Sequence, residues 1–473
     1  MTFADLKQLL RILNSAVDTL ETEFSQQSLD FPSLDAPLGT SGLDAPAERA
    51  ATSASALEAI DLIVAASAQL TATVRGPFAT LFEVSGQAFL PAVLSFALAV
   101  NTVEILREAG PQGAHARDIA AKADVDDQKI SHTLRYLATN HIFREVAPDV
   151  FANNRISSLM DTGKSVSDLQ ANPQQKYIAT NAVAAFVSLQ SHELMPLCTK
   201  IADHWTAPES KYSREPNNTA LNTALGVKDV TIFQWFEKPE NREIAMRYAV
   251  AMSASNFTEP ANAFEWESLD AGSLVVDVGG GVGNIMMPLY QKYPDLKFEI
   301  QDRAQSVEHG TKIWSAQFPD ALSSGRVAFR AHNFLEAQPV QNASLFFLRN
   351  IAHNWPDAYF IRILQHLRDA AGSKTYLVIA DRILAYAHPA TSSTPEDISG
   401  AAPRAAPKPL LANFGRASIT ASALDMGVQA SMNGLERTFG EFVDVTRQAG
   451  WKIERVNRVR GDLCNAFVVC SPA

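Results

Sequence analysis

Leu274-Val275-Val276-Asp277-Val278-Gly279-Gly280-Gly281-Val282-Gly283 is a short apolar run that ends in a cluster of glycines. Apolar residues that stop at glycine describe a buried strand delivered into a tight turn. Glycine there lets the backbone come close to a ligand, and the helix that follows offers unpaired N–H groups. A dinucleotide turn spaces its glycines G-x-G-x-x-G, whereas Gly279, Gly281 and Gly283 follow G-x-G-x-G with Asp277 two residues ahead. That arrangement suits a ligand with no pyrophosphate that carries an ammonium and a sulfonium. Asp277 can help hold its amino-acid portion, directly or through water. The next strand ends in Phe298-Glu299-Ile300-Gln301-Asp302, and an acid at that point can accept both ribose hydroxyls of an adenosine cofactor. A tight turn with a solvated aspartate is the plainer alternative.

Outward from this turn, the chain beyond residue 271 alternates short apolar runs with helical patterns: SLVVDV, KFEI, RVAFR, SLFFL and TYLVIA, closed by WKIERV and AFVVC. Such alternation predicts a parallel sheet covered on both faces, a doubly wound α/β domain over 271–473. In an open parallel sheet, ligands lie beyond the carboxyl ends of the strands. His353 falls just past such an end, in Leu345-Phe346-Phe347-Leu348-Arg349-Asn350-Ile351-Ala352-His353-Asn354-Trp355-Pro356-Asp357, near a helix start at Pro356. A lone histidine is usually structural. Here Asp381 ends the fifth strand and Glu436 lies in MNGLERTFGEF. Carboxylates near one imidazole raise its basicity and fix its tautomer.

Ahead of the sheet the pattern is mostly helical. Residues 1–25 repeat Leu6, Leu9, Leu10, Leu13, Val17, Leu20 and Phe24 at helical spacing, with acids between. Residues 26–55 are rich in Ser, Ala, Pro, Gly and Asp and read as a flexible linker. A second stretch of that kind, 387–410, holds five prolines and reads as a mobile surface loop. Residues 56–165 contain two short amphipathic helices joined at Asp124–Asp127, then an alternating IFREV…VFAN hairpin, which is a winged helix-turn-helix pattern. Residues 166–270 read as a helical connector. The winged helix could serve DNA, but only Lys129 and Arg135 are basic on its second helix, with Asp126 and Asp127 at its start.

The 473 residues carry 40 Lys+Arg against 51 Asp+Glu, a formal charge of −11, and are 47% hydrophobic. That balance disfavours general disorder and a protein that coats phosphate backbones. Cys198, Cys464 and Cys470 are too few for a disulfide framework and lack zinc spacing. The start has no export signal. The greasiest run, Phe89–Val100, is about a dozen residues, short of the roughly twenty that span a bilayer. A soluble, cytoplasmic protein with no nucleic-acid or membrane partner is expected. The same apolar run is too greasy for one solvated face, and predicts a homodimer in which residues 86–160 and the first helix exchange helices with a second copy.

From about residue 86 the chain resembles the plant and fungal caffeic-acid O-methyltransferase-like enzymes, which use S-adenosylmethionine. The matching motifs are VDVGGGVG, FEIQDR, LRNIAHNWPD, VIADRIL and NGLERTFGEFVDVTRQAGW. NNTALNTALG and FQWFEKPENREIAMRYAVAM resemble the fungal branch that decorates polyketides and related natural products. The resemblance implies a Rossmann-like class I methyltransferase domain behind a winged-helix dimerisation domain. It makes His353 the general base, with Asp381 and Glu436 at the two acidic positions beside it. It puts Asp277, Gly279, Gly281, Gly283, Asp302, Asn333, Phe334 and Arg349 at the S-adenosylmethionine site. Met252 and Met426 fall near acceptor-pocket positions, with ordinary core packing as their alternative. No metal is required, and no metal-ligand set stands out near these motifs.

Three departures from the family pattern matter. His332-Asn333-Phe334-Leu335 stands where the family usually has Asp after the third strand; Asn keeps an acceptor and loses the charge. Asn354 replaces Asp in the family's His-Asp-Trp, and the 387–410 loop is long. The function expected is methylation of a phenolic or enolic hydroxyl on a small polyketide-like acceptor. The alternatives are a pericyclase or dehydratase of the same fold that transfers no methyl group, and a winged-helix DNA-binding regulator.

Overall fold

The computed structural model describes residues 2–39, 41–253, 260–389 and 398–473. The first helix, Phe3–Gln26, opens on a capping box in which Thr2 and Asp5 exchange hydrogen bonds. It packs along the helix Ala54–Val74, and the two bury Leu9, Ile12, Ala65 and Ala66 against Leu410 and Phe414 of the C-terminal half. The N-terminal helices are thus tied to the C-terminal half of the chain.

Residues 26–55, expected as a linker, are held in place. Pro46–Ala50 is a helix whose Glu48 is buried and gripped by Arg155, Nε to Oε1 at 2.7 Å and Nη2 to Oε2 at 2.5 Å. The N–H of Arg155 also donates to the carbonyl of Leu34, and that of Leu38 to Ser158 Oγ. Local composition missed this because the segment is ordered by long-range polar contacts together with a small apolar cluster in which Leu29, Ala47, Ala50 and Ala51 pack on Phe24.

The winged module has the expected parts. Helices Ala116–Ala123 and Asp127–Thr139 meet at Asp124, and β1 (Ala114–His115), β2 (Arg144–Ala147) and β3 (Val150–Ala152) form an antiparallel sheet in the order β1-β3-β2. Arg135 of the second helix is paired with Asp149 at 2.5 Å and Glu145 at 3.3 Å, so its charge is spent within the module. The helices Pro77–Gly86 and Phe89–Ala99 follow one another and expose Phe78, Leu81, Phe82 and Phe89, each more than two-thirds accessible. The expected span length needs correction. Ala54–Val74 and Pro77–Ala99 are each long and apolar enough, by length and composition, to cross a membrane. Reading Phe89–Val100 alone missed the continuation backwards through residues 77–88.

The C-terminal half is one sheet in the order β10-β11-β8-β7-β4-β5-β6. Its strands are β4 (Leu274–Val278), β5 (Lys297–Asp302), β6 (Val327–Ala331), β7 (Leu345–Arg349), β8 (Tyr376–Leu384), β10 (Trp451–Arg458) and β11 (Asn465–Pro472). A two-residue β9 (Arg437–Thr438) pairs with the end of β8. Strands β4 to β8 run parallel, and β11 and β10 close the edge antiparallel. The apolar runs of β4, β7 and β8 are buried on both faces, under Phe360, Leu364 and Phe442 on one side and Trp266, Trp314 and Leu289 on the other. Of the 387–410 loop, 390–397 lie outside the described residues. Its later part is packed: Ala401 and Leu410 are buried, the Val456 N–H donates to Ser399, and Arg404 pairs with Asp61 at 2.8 Å.

Candidate active site

The carboxyl ends of β4, β5, β7 and β8 open into a cavity of about 2200 Å³, several times the ~300–1,000 Å³ of an ordinary ligand pocket. It has room for a cofactor and an acceptor together. The glycine turn forms one wall. The N–H groups of Gly279 and Gly280 donate to the carbonyl of Gln301, which ties the turn to β5. Gly281, at φ +60°, has open space where a side chain would begin, so its backbone faces the cavity bare. Its N–H donates to Asp302 Oδ2 at 2.9 Å, and Asp302 Oδ1 accepts from the Arg303 N–H at 2.7 Å. Each carboxylate oxygen keeps capacity for a further donor.

Asp277 lies at the floor of this wall, 3% exposed. Burial drives its carboxyl up to about 7, a rise that Arg349 opposes and the charge of Asp302 assists. A buried acid of this kind is stabilised in its charged form by an incoming cation. Phe334 and Ile351 close over Gly279 from the other side. Phe334 meets Trp355 edge-on at 5.8 Å, and Phe233 stacks on Trp355 at 6.2 Å. Asn333 also lines the cavity, its Oδ1 accepting the Leu335 N–H and its amide donating to Glu336. A bare glycine turn, an ammonium-seeking carboxylate, a hydroxyl-seeking carboxylate and an aromatic wall fit S-adenosylmethionine. Gly283 plays a different part from the one expected. It is off the cavity wall, and a side chain there would lie 2.8 Å from Trp314 Nε1, so it is a packing glycine.

His353 sits on the same cavity, in a short turn after β7. Its Nδ1 is 2.8 Å from Glu436 Oε1 and 3.5 Å from Asp381 Oδ1, and its backbone N–H donates to Asp381 Oδ2 at 3.3 Å. An ionised Glu436 can only accept, so Nδ1 carries the hydrogen and Nε2 is left for the cavity. Burial works against the imidazolium, but the charges of Asp381 and Glu436 and the hydrogen bond to Glu436 outweigh it. The imidazole titrates above the usual histidine value. Burial also pushes the Glu436 carboxyl up, against the pull of His353.

The three side chains were not recognised as a metal-ligand set in the sequence, yet one ligand-type atom from each lies within 4.8 Å of the others. The 2.8 Å contact between His353 and Glu436 is a hydrogen-bond separation. Two ligands of one tetrahedral ion, each ~2.0–2.2 Å from it, stand farther apart.

Several residues of this site went unnoticed in the sequence. Arg437, fully buried, donates to the carbonyls of Ala352 and Trp355 at 2.6 and 2.8 Å and pairs with Asp357, which clamps the turn on both sides of His353. Gly434 lies so close to the His353 carbonyl that an added side-chain carbon would fall 2.1 Å from it. Arg382, next to Asp381, lines the cavity. Buried charge inside LERT, and glycine just before it, were the available signals. Of the two expected acceptor-pocket methionines, Met252 is on the cavity wall, while Met426 is 44% exposed and off it. The helix Ile419–Met432 turns Leu424 and Gly427 inward instead.

Residues 210–399 match the O-methyltransferase domain family. The chain is 40% identical to an O-methyltransferase of Armillaria gallica, covering 96% of this chain and 95% of the relative. It is 37% identical to 4-O-methyltransferase 1 of Phanerochaete chrysosporium, over 96% of each chain. Among solved structures, one described as a pericyclic reaction enzyme superposes with a TM-score of 0.67 at 18% identity, covering 88% of this chain and 94% of that one. At that identity the likeness speaks for the fold alone.

Proposed function

The chain belongs to the S-adenosylmethionine-dependent O-methyltransferases, in the fungal caffeic-acid O-methyltransferase-like group, and from that premise we propose that it methylates a phenolic or enolic hydroxyl of a polyketide-like acceptor with His353 as general base. The observation that carries the reading is the His353–Glu436 contact at 2.8 Å on the wall of a cavity wide enough for both reactants. Bound S-adenosylmethionine supplies a methyl group on a cationic sulfur, a leaving group that needs no protonation. The protein's tasks are therefore alignment and proton removal. A phenol is mostly protonated at pH 7, and His353 Nε2 takes that proton as the oxygen attacks. The new charge on the ring is met by Glu436 directly and by Asp381 behind it. General-base help of this kind is worth about 10²–10⁴-fold. Asp277, Gly281, Asp302 and Arg349 would hold the cofactor, and Arg437 keeps the His353 turn from shifting.

Cofactor whose transferable methyl is isotopically labelled, incubated with a panel of phenolic metabolites, tests this reading. Label should appear in an ether of the product, and His353→Ala should reduce turnover by about 10²-fold or more while cofactor affinity measured by calorimetry stays close to wild type. Conversion of a substrate with the label retained on the cofactor would favour the non-methylating alternative. The intact imidazole and both carboxylates argue for transfer.

A further inference from the structure

Glu436 poses an electrostatic problem that the base alone does not solve. Its side chain is fully buried; among the described residues Oε2 has no hydrogen-bond partner, and Oε1 receives a hydrogen bond from His353. Asp381, also buried, approaches the same ring nitrogen, its Oδ1 3.5 Å from Nδ1. A buried carboxylate with a second one nearby needs a cation to stay charged. Two groups can supply it. One is His353 itself, which would then rest as an imidazolium with no capacity to take a proton. The other is Arg382, whose Nη1 is 3.6 Å from Glu436 Oε1, the oxygen that His353 also contacts.

We propose that Arg382 is a positioning residue of this reaction, the resident cation that holds Glu436 ionised so that His353 stays unprotonated and ready to accept the acceptor's proton. Its guanidinium is 22% exposed, lines the cavity, and makes no hydrogen bond among the described residues, so its charge is committed to the 3.6 Å pair rather than spent elsewhere. That distance is longer than a hydrogen bond, so Arg382 acts through charge and leaves the directional contact to His353. The strand sets this geometry. Asp381 and Arg382 are consecutive on β8, which brings the carboxylate to 3.5 Å from His353 Nδ1 and the guanidinium to 3.6 Å from Glu436 Oε1.

The other charged or titratable groups around the pair do not replace it. Asp425, on the helix Ile419–Met432, has its Oδ1 occupied by the Glu436 N–H at 2.9 Å. Asp462, between β10 and β11, is taken up by the N–H groups of Cys464 and Asn465 and by the Asn465 amide. The Cys464 thiol is pushed up to about 12 by burial and by Asp462, and is uncharged. Arg349, on β7, interacts electrostatically with Asp277 on the cofactor side first and with Asp381 to a smaller extent.

The inference rests on His353 as the base. Its test is the titration of the His353 ring in the full-length, cofactor-free enzyme labelled with ε1-carbon-13 histidine, the resonance assigned by its loss in His353→Gln. Arg382→Gln should raise the midpoint by about one pH unit, the low end of what a neighbouring charge does. Arg382→Lys should restore it, and in a Glu436→Gln background the effect of Arg382→Gln should shrink to the direct action of the guanidinium on the ring. Arg382→Met, which keeps the aliphatic stem, carries the same expectation if Gln is not tolerated. A midpoint unmoved in a folded Arg382 variant overturns the proposal. Turnover of His353→Ala separates the two claims. If it is lost while the midpoint is unmoved, the role of Arg382 falls alone; if it is retained, the base assignment falls, and the role of Arg382 with it.

Discussion

Asp277 offers the sharpest test at the scale of one residue. Its carboxyl, raised to about 7 by burial, is protonated below that pH and charged above it, and a ligand ammonium prefers the charged form. Affinity for S-adenosylhomocysteine, which carries the same ammonium, should be level above about pH 7 and fall by up to about tenfold per unit below it. Calorimetry across pH 5.5–8.5 should show proton release on binding at the acidic end. Asp277→Asn should bind more weakly at pH 8 and lose the slope; a slope that persists in Asn would exclude Asp277 as its source. The sign follows from the folded protein. Without ligand the fold holds this proton more tightly than the unfolded chain does, so Asp277 costs stability as pH rises from 3.8 towards 7. A bound ammonium offsets that cost.

At the scale of elements, the glycine turn goes from open cavity wall to close packing within three residues. Gly281 has open space around its missing side chain and Gly283 has Trp314 at 2.8 Å, although both have positive φ. Gly281→Ala should therefore cost about 1–2 kcal/mol in backbone strain and weaken cofactor binding at least tenfold. Gly283→Ala adds a clash of the kind worth about 1–3 kcal/mol and should show the larger drop in melting temperature. Melting curves and calorimetry on the two variants check this, and the assignment fails if Gly281→Ala binds as wild type. In the sequence both glycines were equal members of one motif. The distinction depends on the helix Ala304–Gln317, which brings Trp314 under the turn. Strand β5 carries a similar lesson. Glu299 and Gln301 are polar by sequence yet buried, because Arg330 and Gln338 arrive from beyond the strand to satisfy them.

At the scale of the molecule, the helices Pro77–Gly86 and Phe89–Ala99 present the apolar face that a homodimer would use, and we propose that a second copy covers it. The most exposed residues, Phe78, Leu81 and Phe82, precede the run that first suggested an interface, while Ala97 and Leu98 of that run are already buried in their own chain. The first helix, expected to exchange with a partner, is satisfied along its Leu9 and Ile12 side by its own chain. Light scattering at micromolar concentration should give twice the 51.4 kDa chain mass, and Phe78→Asp with Phe82→Asp should shift it toward the monomer. A monomer mass for the wild-type protein would refute the dimer.

The sequence by itself determined the alternation of apolar strands and helices, the glycine turn, and the residues His353, Asp381 and Glu436. Those features are local: strand burial is written in runs of five or six residues, and a turn needs its glycines in place. What the tertiary structure decided is how residues far apart share one volume. Glu436, 83 positions from His353, is the carboxylate in direct contact, while Asp381 stands farther off. Arg437 clamps the turn that carries His353, Glu48 orders a stretch that composition marks as linker, and Met426 faces away from the cavity. Each outcome depends on a partner whose distance along the chain carries no periodic signal, and only the packed fold brings the two charges or surfaces within a few ångströms.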